Sequence, residues 1–132
     1  CVAARWAEHE LGGARPTTRG DPRDRHRIAG ALLVGGHPYT AGGYAGEIGH
    51  SPIADGPVCP CGARGCLEAV ASAGAIARRY REATGTTPDG AKDVIARAAA
   101  GDRVAADIWD SALDALTLSL AQLTAVVAPR PW

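Results

Sequence analysis

The sequence predicts an α/β domain, and three observations carry that prediction. Ile28–Val34, IAGALLV, is a continuous apolar run of strand length that closes on a Gly35-Gly36 turn. From Leu67 to about Val127, apolar residues recur at three-to-four spacing, the period of helices packed on one face. Between them, Gly46–Glu68 (GEIGHSPIADGPVCPCGARGCLE) is too rich in glycine and proline for any regular element. At 132 residues the chain is long enough for one domain with a real core.

In chain order, Val2–Ala14 is alanine-rich, places Val2, Trp6 and Leu11 toward one side, and stops at Gly12-Gly13. It reads as a short helix, 1–15, with a glycine stop. Pro16–Arg27, PTTRGDPRDRHR, has six charged residues among twelve and no aliphatic one, and reads as a solvated polar loop. Asp21 and Asp24 interrupt its arginines, which argues against a basic nucleic-acid patch. Residues 28–45 read as a hairpin, with Pro38-Tyr39-Thr40 beginning the return strand and Tyr44 packing at the entrance to the loop.

The loop carries the chemistry. Cys59, Cys61 and Cys66 fall within eight residues, and His50 stands nine residues upstream of Cys59. Soft thiolates with one imidazole form a tetrahedral zinc set, and four protein ligands leave no open position, so the metal is structural. A segment with so little apolar surface cannot hold itself, whereas a metal can fix it. Two other readings stand beside this one. Cys59 and Cys61 are too close in sequence for the usual bridge geometry, so a disulfide from either to Cys66 strands a thiol. Three unrelated buried thiols are the other, and glycine- and proline-rich flanks disfavour burial.

Residues 69–128 are read as helices. In the runs LEAVAS and then AGAIARRYREAT, Val70, Ala73, Ile76 or Ala77, and Tyr80 fall at three-to-four spacing, with Arg78, Arg79 and Arg81 on wet faces. Gly85–Gly90 is a turn, and Ala91–Ala100 a further helix ended by Gly101. Asp102 is an N-cap for the longest helix, whose stripe is Val104, Ile108 or Trp109, Ala112 or Leu113, Leu116, Leu120, Leu123 and Val127. Pro129 and Pro131 stop it.

Zero formal net charge excludes a protein built to coat nucleic acid or anionic membrane. No apolar run approaches the ~18–20 residues that span a bilayer. Reduced thiols and the lack of a visible signal segment point to the cytoplasm. The chain has no methionine and opens inside a helical pattern, so we read it as an internal piece of a longer protein.

The run AGEIGH followed by CPCGARGCLE resembles the ROK (repressor, open reading frame, kinase) family, where G-E-x-G-H precedes C-x-C-G-x-x-G-C-x-E. The resemblance extends more loosely from about Cys1 to Pro131. It implies that residues 1–132 are part of the larger lobe of a sugar kinase with an actin-like, ribonuclease-H-like ATPase fold. That fragment would comprise a short β-hairpin, a zinc loop and C-terminal helices. It implies His50, Cys59, Cys61 and Cys66 as ligands of a structural Zn2+, and Glu47, His50 and Glu68 as contacts to sugar hydroxyls. A carboxylate accepts from two adjacent hydroxyls at once, which suits a pyranose.

The parent reaction would be ATP- and Mg2+-dependent phosphorylation of glucose or a related hexose by a homodimeric enzyme. The catalytic aspartate would lie before Cys1. The glycine-rich phosphate turn would fall at 16–27, where recognisable sequence breaks off near Ala14 and resumes at Ile28; a frame disruption in the coding DNA would account for that break, and a real surface loop is the other reading. A sugar-sensing repressor of the same family, and a zinc-held interaction module without a sugar site, are the alternatives.

Overall fold

The computed structural model describes residues 27–53 and 55–127. The helix expected at 1–15, nearly all of the polar run 16–27 and the closing prolines lie outside them. Two short antiparallel strands, β1 (Leu33–Val34) and β2 (His37–Pro38), come first. Single 3₁₀ turns follow at Ala41–Gly43 and Ile48–His50. Four helices follow among the described residues: α1 (Leu67–Ala71), α2 (Ala73–Thr84), α3 (Gly90–Ala99) and α4 (Arg103–Val127).

The helix boundaries have local chemical causes. Ser72 has an extended backbone that breaks α1 from α2, and its Oγ accepts the Ala75 N–H at 3.1 Å, capping α2. Gly85, at φ +73°, ends α2 in the left-handed conformation that costs a glycine nothing. Asp102 caps α4 as its sequence position suggests, its Oδ1 accepting the Ala105 N–H at 3.1 Å.

The main core lies between α2, α3 and α4: Ile76, Tyr80, Val94, Ala105, Ile108 and Ala112. A second cluster, Leu67, Val70 and Ala115, seats α1 on α4, with Ile28 and Ile53 packed against it. A polar tie crosses the first. The Tyr80 hydroxyl donates to Asp102 Oδ2 at 2.6 Å, and the Arg97 guanidinium stands 5.6 Å from the Tyr80 ring centroid. Arg97 also donates to Asp93 Oδ1 at 3.1 Å. The Tyr80 hydroxyl and the Ala105 N–H hold the Asp102 carboxyl below its ordinary range. The same bond to Asp102 raises the Tyr80 phenol.

Four expectations are corrected. The apolar run Ile28–Val34 is strand only at Leu33–Val34, because the backbone N–H groups of Ile28 and Gly30 bond into the loop instead of a neighbouring strand. The buried stripe of α4 is Ala105, Ile108, Ala112, Ala115 and Ser119. Val104, Leu113, Leu120 and Val127 are exposed, because α1 to α3 all pack on the alanine-rich side, where small residues let helices approach. Arg79 is not on a wet face but half-buried between α1 and α4. Tyr44 is 83% exposed rather than packed. No helix among the described residues is long and apolar enough to cross a membrane.

Candidate functional site

Residues 46–66 fold back on themselves through backbone bonds that follow from their turns. Cys59 N–H donates to Ala63 O at 2.8 Å and Gly62 N–H to Cys59 O at 2.9 Å, closing a tight knuckle around Cys61. Isolated bridges pair Val58 with Arg64 and Pro52 with Cys66. Leu67 N–H donates to Ser51 O at 3.0 Å, so the end of the loop is bound to the turn that carries His50.

These turns bring the sulfur and imidazole groups together. The ligating atoms of His50, Cys59 and Cys61 lie within 4.8 Å of one another. His50 Nδ1 stands 3.6 Å from Cys59 Sγ, and Cys61 Sγ stands 3.6 Å from Cys66 Sγ. Cys66 Sγ donates to the His50 carbonyl at 3.3 Å. Cys59 and Cys66 are buried, whereas Cys61 is exposed at the tip of the knuckle.

Their surroundings separate the thiols. Burial, with the neighbouring Cys61 and Cys59, pushes the Cys66 thiol up to about 12. The Cys61 thiol lies below its ordinary value, lowered chiefly by a hydrogen bond from the Ala63 backbone and next by the Cys59 side chain. The disulfide reading is not realised: Cys59, Cys61 and Cys66 are all free.

The other nitrogen of His50 points away from the sulfurs. Nε2 stands 3.8 Å from Glu47 Oε2, and both side chains are more than a third exposed. Glu68 sits in the first turn of α1, directly after Cys66 and Leu67. Its Oε2 accepts the Ile28 N–H at 3.0 Å, and its side chain helps line a cleft of about 260 Å³ with Val58, Pro60 and Arg78. The structure therefore brings His50, Cys59 and Cys61 within ligating reach of one another, sets Cys66 against Cys61 and the His50 carbonyl, puts Glu47 beside His50, and anchors Glu68 to Ile28.

Sequence reasoning missed the groups that hold this arrangement. The Ile28 amide is one; nothing in an apolar run announces that its backbone will meet a carboxylate. Gly49 is another, since a Cβ there would collide with Ile28 O and reach within 3.2 Å of Glu68 Oε2. The readable signal was the glycine between Glu47 and His50. Arg78 and Arg79 are the third, because they donate to the last carbonyls of α1, at 2.9 Å to Ala69 O and 3.1 Å to Val70 O.

The ROK family model matches residues 28–131. A glucokinase of Thermotoga maritima is 37% identical over 118 residues, covering 78% of this chain and 37% of that protein. An N-acetylmannosamine kinase of Escherichia coli O6:K15:H31 is 35% identical over 127 residues, covering 93% and 42%. Among solved structures, the ROK hexokinase of Thermus thermophilus superposes with a TM-score of 0.76 at 29% identity, over 96% of this chain and 45% of that one. A ROK transcriptional regulator, homologous to the E. coli MLC protein, superposes with a TM-score of 0.57 at 30% identity, over 74% and 28%. The chain thus spans less than half the length of these relatives. With the family model matching 28–131, most of its residues, the chain belongs to the ROK family.

Proposed function

We propose that this chain is the sugar-binding, zinc-holding part of a ROK-type hexose kinase, with 1–132 belonging to its larger lobe. The observation that carries the reading is the division of labour at His50, whose Nδ1 faces Cys59 while Nε2 faces Glu47. Bound to metal through Nδ1, the imidazole is fixed as the tautomer with an N–H at Nε2. That N–H is a donor for a sugar oxygen, Glu47 beside it is an acceptor for hydroxyls, and Glu68, in the first turn of α1, would be a second. Donor and acceptors together suit vicinal hydroxyls of a pyranose.

The residues suit zinc. Three thiols and one imidazole are its preferred donors, and sulfurs ~2.3 Å from a tetrahedral ion stand roughly 3.8 Å apart. The Cys61–Cys66 separation of 3.6 Å is close to that edge. His50, Cys59, Cys61 and Cys66 would hold the ion, which supplies rigidity to the loop. The chain's own contribution is to bind and orient the sugar through Glu47, His50 and Glu68.

Phosphoryl transfer needs groups beyond these. ATP and Mg2+ would serve the parent enzyme, and an aspartate upstream of Cys1 would take the hydroxyl proton. The sugar class follows the relatives, glucose or an N-acetylated hexose. A cytoplasmic homodimer is the assembly we propose for the parent. Isothermal titration of the zinc-loaded chain with a hexose panel tests the reading. Heat with a glucose-type or N-acetylated hexose, without ATP-dependent turnover, is expected; no heat with any sugar overturns it in favour of a zinc-held interaction module.

Similarity to a ROK transcriptional regulator supports a second reading, a sugar-sensing repressor using the same clamp. Coding sequence upstream separates the two: a helix-turn-helix segment marks the repressor, and an Asn-Asp pair just before Cys1 the kinase.

A further inference from the structure

We infer that Arg79, with Arg78 beside it, is a positioning residue that sets where the Glu68 carboxylate stands. Its consequence for sugar binding rests on the reading of Glu68 as a hydroxyl acceptor. Helix α1 has only five residues, far fewer than a helix needs to persist by itself. What surrounds it must hold it, and the final carbonyls of any helix have no partner within it. In α1, Glu68 O accepts from Ser72 N–H at 3.2 Å, Ala69 O from Arg78 Nη2 at 2.9 Å, and Val70 O from Arg79 Nη1 at 3.1 Å. Two guanidinium groups therefore cap a single turn at the end where its dipole favours a cation.

Arg79 does more than cap. Its Nη2 donates to Ser111 Oγ at 2.8 Å, and Ser111 in turn donates to Ile108 O at 2.9 Å. Arg79 Nη1 also reaches Ile108 O at 3.5 Å. The planar fork thus joins the end of α1 to the middle of α4, the longest helix among the described residues. Burial disfavours its charge, which lies below the ordinary arginine value, yet the side chain stays between the helices.

Apolar contacts of Leu67 and Val70 keep α1 on α4, but they are non-directional and permit it to roll. Hydrogen bonds from a fixed fork do not. Glu68 is two residues from Val70 in that same turn, and its Oε2 meets the Ile28 N–H at 3.0 Å. A small roll of α1 separates them.

The Ile28 amide is a built-in reporter that needs no sugar. Hydrogen exchange on the 15N-labelled, zinc-loaded chain would compare wild type with Arg79→Met, Arg79→Lys and Ser111→Ala, alongside zinc content and hexose titration. Losing a charge-assisted bond worth about 1.5 kcal/mol or more predicts roughly a tenfold loss of Ile28 protection in Arg79→Met. Protection within α4 and the zinc stoichiometry stay as in wild type, and hexose affinity falls by a similar factor. Arg79→Lys recovers part of the loss, since it can reach one acceptor. Ser111→Ala, which leaves Arg79 in place, shows a smaller loss and covers the case in which Arg79→Met does not fold.

Unchanged Ile28 protection in Arg79→Met overturns the inference, and so does an unprotected Ile28 amide in the wild type. A uniform loss across α4 also overturns it, because Arg79 would then be a general stabiliser. Ile28 protection lost in Arg79→Met, with a wild-type chain silent toward every hexose, upholds the positioning role and removes the sugar clamp alone.

Discussion

Cys61 is the exposed member of a set whose other two thiols are buried, so it can be changed without opening a cavity in the core. Cys61→Ser should bind less than the one equivalent of zinc expected for wild type, while α2 to α4 keep their helical signal; metal analysis with far-UV circular dichroism checks both. The Tyr80–Asp102 bond gives a prediction with a pH signature. Asp102 has a lowered carboxyl, so its share of stability is present above the ordinary carboxylate range and is lost as pH falls through the depressed value. Tyr80 has a raised phenol, so its share is present below the ordinary phenol value and is lost as pH rises through the raised one. Tyr80→Phe should therefore lower the urea midpoint at neutral pH, and the gap from wild type should narrow toward both extremes. A gap that stays constant with pH would mean the bond contributes little.

Secondary elements were largely legible, and the faces they bury were not. The helices after Leu67 could be read because Gly85, Gly101 and Asp102 are chemical punctuation, acting through groups next to them in sequence. Which side of α4 faces inward depends on what packs there, and α1 to α3 chose the alanines over the leucines. Arg79 failed for the same reason: an arginine reads as solvated until a buried carbonyl and a serine from another helix are placed around it. The nearness of His50, Cys59 and Cys61 was legible because they share one short loop, whereas the partner of Glu68 lies forty residues away. At this scale Ser72→Ala is the clean test. Removing the buried N-cap of α2 should cost about 1 kcal/mol, read as a lower midpoint with an unchanged m-value in urea unfolding.

For the whole molecule, the stretch at 28–30 ties the two ends of the loop together. Ile28 N–H is held by Glu68 at the loop's far end, and Gly30 N–H by Gly46 O at its near end, at 2.7 Å. Gly46 and Gly49 have no room for a side chain against this stretch, so it lies flush on the loop. Spacing between those two amides is consequently a ruler, set by backbone length and independent of side-chain identity. One residue inserted between Ile28 and Gly30 should release Glu68 or Gly46, visible as lost Ile28 or Gly30 amide protection. The same insertion in the exposed turn at Gly35-Gly36 should be borne without effect on either amide. Length variation among natural relatives should then collect at the hairpin tip and be absent from the crossbar two strides upstream.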